Sequence, residues 1–132
     1  NMINFIPFLI EKNINVQLEE LPRDIILSIG IVNGRNIWIN DLTNSISVVN
    51  KFVDRLGSDK IIISPSCSLL HSPIDLTLED NLDEEIKTWM AFAKEKLTEI
   101  SLLNEYFNGQ NVQDVIHDSI LVIERLLQKL TI

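Results

Sequence analysis

The chain is poor in the residues that most often announce a function. Cys67 is its only cysteine, which excludes a disulfide within the chain and fits a reducing cytosol. His71 and His117 are its only histidines. No apolar run approaches the roughly 20 residues that span a bilayer. The N-terminus lacks a basic segment followed by an apolar stretch and a small-residue cleavage site, so secretion is not expected either. Asn1 ahead of Met2 reads as a residue added in front of the native segment, with Met2 as its start or merely its first residue. Basic residues are scarce, 11 against 19 acidic ones, for a net charge of -8. They are scattered, with no Lys/Arg stripe interleaved with aromatics, so nucleic acid and anionic membrane surfaces are excluded as partners. GxGxxG, P-loop, HExxH and CxxC motifs are absent, as are repeats of fixed period and low-complexity tracts.

What is present is enough apolar residue for a real core. The hydrophobic fraction is 45%, too high for a disordered segment, and 132 residues without a long linker point to one domain. The run Ile25 to Val32 and the shorter Lys60 to Ser64 read as buried strands. Their apolarity is continuous, which predicts cover on both faces, as in parallel sheets. Ile3 to Leu9 reads as a third strand, against which Pro7 counts because it removes a ladder donor. A short helix over about Glu11 to Leu21 would follow, with a strand near Asn15 to Leu18 as the alternative.

Helices separate the strands. Asn40 or Asp41 can cap a helix whose apolar positions are Leu42, Ile46, Val49, Phe52, Val53 and Leu56, with Gly57 as its stop. A longer helix is expected from Asn81 as N-cap, with Glu84 at N3. Its stripe is Leu82, Ile86, Trp89, Met90, Ala93, Leu97, Ile100 and Leu103. Asn108-Gly109 breaks that pattern. A final helix carries Val112, Val115, Ile116, Ile120, Ile123, Leu127 and Leu130. Alternating strands and helices imply right-handed βαβ crossovers and an α/β fold.

Two loops carry candidate chemistry. In Asn33-Gly34-Arg35-Asn36-Ile37-Trp38, the Asn-Gly pair favours positive φ and a turn at a strand's carboxyl end, where parallel α/β folds bind ligands. Arg35 can contact an anionic group there, or pin loop carbonyls with its several donors. In Ser64-Pro65-Ser66-Cys67-Ser68-Leu69-Leu70-His71-Ser72-Pro73, Cys67 and His71 lie four apart among hydroxyls. A nucleophile–base pair or half of a zinc site are the sharp readings. Zinc needs a third ligand and catalysis an orienting group and an oxyanion hole, none of which the sequence supplies. The plain reading is a buried thiol and a histidine satisfied by loop backbone. Arg35, Ser66, Ser68 and His71 are therefore the substrate-binding candidates, with no catalytic or metal-ligating residue. The carboxylates Glu79, Asp80, Asp83, Glu84 and Glu85 surround a helix start, where the dipole favours negative charge. Trp89, Met90 and Phe92 are expected in the core.

Taken together and in order, these segments resemble the cobalamin-independent methionine synthases. The resemblance lies in Leu27 to Trp38, in Ser66 to Leu76, in Leu82 to Trp89 and in Phe92 to Leu97, and covers about Leu21 to Ile100. It implies a piece of an enzyme built of two face-to-face (βα)8 barrels. That enzyme moves a methyl group from methyltetrahydropteroyl-triglutamate to the thiol of homocysteine, held as a zinc thiolate. The chain would supply the last strands and helices of the first barrel. The family's zinc ligands, homocysteine contacts and catalytic histidine belong to the second barrel, and its folate-tail contacts lie upstream of the matching region. No functional residue of the family transfers to a position here. Cys67 sits in a loop that corresponds, through an apparent duplication of the barrels, to one bearing a zinc cysteine in the second barrel.

The expected architecture is thus a partial (βα)8 barrel with two to three parallel strands, covering helices and a C-terminal helix. Residues 1–108 would form the barrel part and 109–132 the connecting helix. Such a cytoplasmic chain would lack activity and cofactor by itself, zinc belonging to the parent enzyme. It would associate with itself or with another barrel segment, folate and homocysteine binding only in the complete enzyme. The rivals are a stand-alone interaction module and a small methyltransferase completing a zinc site from two chains.

Overall fold

A computed structural model describes residues 3–7 and 18–130, with side chains from residue 18 onward. Three strands, β1 (Ile3–Pro7), β2 (Ile26–Val32) and β3 (Ile61–Pro65), form a parallel sheet in the order β1-β2-β3. β1 pairs from Ile3 opposite Ile26 to Pro7 opposite Gly30. Pro7 closes an edge strand, a place where a missing donor costs no ladder bond. Residues 18–20 are helical, while the rest of the helix expected from Glu11, and most of its strand alternative, lie outside the described residues.

Helix α1 (Leu42–Leu56) starts where Asp41 Oδ1 accepts from Asn44 N at 3.1 Å. It stops at Gly57, whose φ of 90° a side chain would resist. Its buried residues are Leu42, Ser45, Val48, Val49, Phe52 and Leu56, with Ile46 and Val53 packed beside them. They lie on the sheet face of Ile25, Leu27, Ile29 and Ile31, all buried. Ile61 and Ile63, in register with Leu27 and Ile29, join the same core.

The long helix expected from Asn81 is two helices. α2 (Glu84–Lys87) is capped by Asp83, not Asn81, and α3 runs from Ala93 to Phe107. Between them Ile39 N donates to Trp89 O at 3.0 Å and Ala91 N to Ile37 O at 2.8 Å. These bonds draw residues 88–92 into a bridge pairing Trp38 with Met90. Backbone groups committed to a distant loop cannot close helical bonds. Trp89 and Met90 therefore sit half-buried in a link, whereas Phe92 is buried as expected. The stripe moves too: Leu97 is exposed, and Lys96 and Leu103 are the buried residues of α3.

After Asn108 and Gly109, whose φ is 79°, helix α4 (Gln113–Leu130) returns over α1. Val112 and Ile116 enter the core, but Val115, Leu127 and Leu130 remain exposed. No helix among the described residues is long and apolar enough to cross a membrane.

The helices α1 and α3 lie on one face of the sheet. The other face carries Ile26, Ser28 and Gly30 from β2 and Ile62 and Ser64 from β3, where Ser28 Oγ and Ser64 Oγ are 3.1 Å apart. The expectation of cover on both faces does not hold among the described residues: Ile62 is 43% exposed. Alternation underlies the β2 run: Leu27, Ile29 and Ile31 fall on the covered face, and Ser28 and Gly30 on the open one beside Ile26.

Candidate functional site

β2 and β3 lose register between Gly30 and Val32, and from there both strands leave the sheet at their carboxyl ends. Ser66 N donates to Val32 O at 2.8 Å, so the two departing loops start side by side. Gly34 is held at both of its backbone groups. Its N–H donates to Ser66 Oγ at 3.0 Å, and its carbonyl accepts from Ser72 Oγ at 3.3 Å. The positive φ expected from Asn33-Gly34 is absent; the glycine is required for room instead. A Cβ there would stand 2.9 Å from both the carbonyl oxygen and the Sγ of Cys67.

These loops enclose a cavity of about 390 Å³ lined by residues 34–37, 67, 68 and 71–73. It brings together three of the four binding candidates, Arg35, Ser68 and His71, with Cys67 beside them. Ser66 instead serves the turn at Gly34. Ser68 Oγ accepts from Leu70 N at 3.2 Å, which leaves its own hydrogen free to donate. Arg35 does not pin the loops: its backbone N–H donates to Asn33 Oδ1 at 2.8 Å, and its exposed guanidinium bonds no described residue. His71 is exposed rather than satisfied by loop backbone, and Cys67 is half-buried rather than buried. The readings of Arg35 as a pin and of a buried thiol beside a satisfied imidazole are thus corrected, because both loops are tied by backbone groups and serines.

Cys67 and His71 line one cavity, but among the described residues no third histidine, cysteine or carboxylate completes a metal-binding group with them. A zinc site takes at least three protein ligands, so the residues described do not fit that metal.

A second cavity, about 240 Å³, shares Asn36 with the first. Lys96 borders it and is only 1% exposed. Its Nζ donates to Asn36 Oδ1 at 3.0 Å and to Trp38 O at 3.2 Å, fastening the first loop to α3. One turn on, Glu99 Oε2 accepts from Asn40 N at 2.6 Å, while its buried Oε1 meets no donor among the described residues. Burial pushes the Glu99 carboxyl up to about 7, against the pull of the Asn40 N–H and the Lys96 charge. Burial lowers the Lys96 ammonium, with Glu99 opposing. The second loop is fastened to the same helix. Ala93 N donates to Pro73 O at 2.8 Å, Lys94 N to Ile74 O at 2.9 Å, and Leu76 N to Glu95 Oε1 at 3.1 Å. Lys94 Nζ also pairs with Asp75 at 3.0 Å. Lys96 and Glu99 were missed by the pattern of apolar residues; the available signal was a lysine four residues before Ile100 and seven before Leu103, on the buried face.

The molecule is therefore a parallel α/β domain, helices against one face, whose polar loops gather at the strand carboxyl ends. Residues 3–57 match the model of the family described as cobalamin-independent synthase, N-terminal domain. The chain is 48% identical over 94 residues to a 5-methyltetrahydropteroyltriglutamate–homocysteine methyltransferase of Flavobacterium johnsoniae, covering 69% of this chain and 12% of that protein. It is 44% identical over 111 residues to the protein of that name from Vibrio harveyi (84% and 14%), and 52% identical over 86 residues to that of Coxiella burnetii (65% and 11%). The chain belongs to the cobalamin-independent methionine synthase family. It spans about an eighth of the length of these relatives.

Proposed function

We propose that the chain is a wall segment of the first (βα)8 barrel of a methyltransferase that forms methionine from homocysteine and methyltetrahydropteroyl-triglutamate, and is not catalytic by itself. The observation that carries this reading is the winding of the sheet. Strands that follow one another in the order β1-β2-β3, all parallel, with α1 and α3 on one face, have the progression of a barrel wall. A doubly wound sheet reverses direction and places helices on both faces. The open face, with Ile26 and Ile62 beside Ser28, Gly30 and Ser64, is the side that would turn toward the packed interior of a barrel. Residues 1–108 then belong to the barrel and 109–132 to the helix leading out of it.

The family resemblance assigns the zinc ligands and the catalytic histidine to the second barrel, outside the matching region. The segment's own work is to close the barrel and to hold the strand-end loops through Lys96, Glu95 and Glu99. The chain's place is the cytoplasm, and its partners are further barrel segments or a second copy of itself. The test is a methyl-transfer assay with the purified chain, zinc, homocysteine and methyltetrahydropteroyl-triglutamate. No turnover is expected. Thiol-dependent methyl transfer accompanied by about one tightly held zinc per chain would overturn the reading.

A further inference from the structure

We propose that the cavity between the loops after β2 and β3 binds a small organic carboxylate, with Arg35 as the anchor of the acid group. None of the residues lining it is Asp or Glu, although the chain as a whole carries a net charge of -8. A chain so rich in carboxylates leaves here a concavity that holds Arg35 and no carboxylate. Arg35 brings a planar fork that matches a carboxylate by two parallel hydrogen bonds. Its guanidinium is exposed and forms no ion pair with a described carboxylate. His71 and Ser68 add donors: the imidazole is exposed, and the Ser68 hydroxyl hydrogen is free because its oxygen already accepts from Leu70 N.

Beside Asn36 and Ser72, part of the remaining wall is apolar. Ile37, Pro73 and the Cys67 thiol offer contact to a short hydrocarbon body rather than to a bare inorganic ion. The volume of about 390 Å³ lies within the range of small-molecule pockets, roughly 300–1,000 Å³. The floor is rigid. Gly34 is fixed at both backbone groups and Asn36 is held from behind by Lys96, so the loops do not have to be ordered when a ligand arrives. The site is defined by this cavity alone and does not depend on whether the chain forms part of a barrel.

The test is a titration of the complete, isotopically labelled chain with pentanoate, followed by amide and side-chain shifts in nuclear magnetic resonance spectra. Saturable shifts centred on Arg35, Asn36, Ser68 and His71 are expected, with millimolar affinity. The neutral pentanamide and inorganic phosphate should bind at least about tenfold more weakly, because one lacks the charge and the other the apolar body. Arg35→Ala should weaken pentanoate by about tenfold or more, and Arg35→Lys should restore only part of the loss, since it keeps the charge without the fork. Arg35 makes no side-chain hydrogen bond to the described residues, so both variants should melt with the parent chain. Non-saturating shifts, equal binding of pentanamide or phosphate, or undiminished binding by a folded Arg35→Ala chain would each overturn the assignment.

Discussion

Lys96 Nζ, on helix α3, donates to the Asn36 side-chain oxygen at 3.0 Å, joining residues 60 positions apart. Asn36 Oδ1 also accepts from Trp38 N at 3.3 Å, and Lys96 adds a bond to Trp38 O. One buried ammonium thereby fixes the shape of the loop that leaves β2, on which Arg35 rides. A lysine this buried needs such partners, since an uncompensated charge in the interior is costly.

Substituting Lys96 should consequently cost more than lost packing. Lys96→Met keeps most of the volume but removes the donors to Asn36 and Trp38. It should destabilise the chain by about 1–3 kcal/mol in urea unfolding. Lys96→Ala should cost more, because it also opens a cavity. A Lys96→Met chain as stable as the parent would show that the lysine is not what fastens the loop.

Glu99 gives stability a pH dependence of definite sign. Its folded-state carboxyl, raised from 4.5 to about 7, keeps its proton where the unfolded chain has lost it. Its contribution is therefore full below about 4.5 and lost as pH rises through about 7, a change on the order of 3 kcal/mol. Glu99→Gln keeps an acceptor for Asn40 N and cannot ionise, so it should gain on the parent steadily across that window. Asp75 works in the opposite direction. Hydrogen bonds from Thr77 and Lys94 hold it down to about 2, so its contribution is present above 3.8 and fades as pH falls toward 2. Parallel stability–pH curves for the parent and Glu99→Gln would contradict the role given to Glu99.

Gly34→Ala should strain the junction of the two loops. The added Cβ meets backbone as well as sulfur, since the Cys67 carbonyl oxygen and Sγ both lie 2.9 Å from it. A loss of about 1–3 kcal/mol is expected. Adding Cys67→Ala should return only part of it, because the carbonyl contact remains. Complete recovery in that double variant would mean that the sulfur alone sets the limit.

The elements that could be read from the sequence are those whose cause is local. The α1 stripe from Leu42 to Leu56 follows the helical period, and Gly57 takes the positive φ that ends it. Strands β2 and β3 announce themselves by runs of isoleucine. The break between α2 and α3 could not be read, because Trp89, Met90 and Ala93 keep the helical spacing straight across it. Its cause is Ile37 and Ile39, some fifty residues earlier, which take the backbone bonds. The site shows the same division. Arg35, Ser68 and His71 stood out by type and by their place after strands, and the cavity joins them. Lys96 and Glu99 did not stand out, since a charged residue on a helix usually faces water. Only the packing of α3 against the loops turns them inward.

On the proposed reading, this chain is one stretch of a wall that other strands complete. Among the described residues, β1 and β3 each pair only with β2, so each leaves an outer edge of backbone donors and acceptors open. The open sheet face carries Ser28, Gly30 and Ser64 beside Ile26 and the exposed Ile62. Larger apolar surface lies elsewhere: Leu70 is 82% exposed, Ile74 77%, Leu78 73% and Leu130 73%. Covering four such side chains is worth roughly 1.5–3 kcal/mol each, comparable in sum to the 5–15 kcal/mol that holds an ordinary domain together. The most direct measurement is the mass of the purified chain in solution by light scattering at micromolar concentration, followed by a thermal melt. A dimer or larger assembly whose melting temperature rises with concentration is expected. A monomer mass with a cooperative, concentration-independent melt would contradict it.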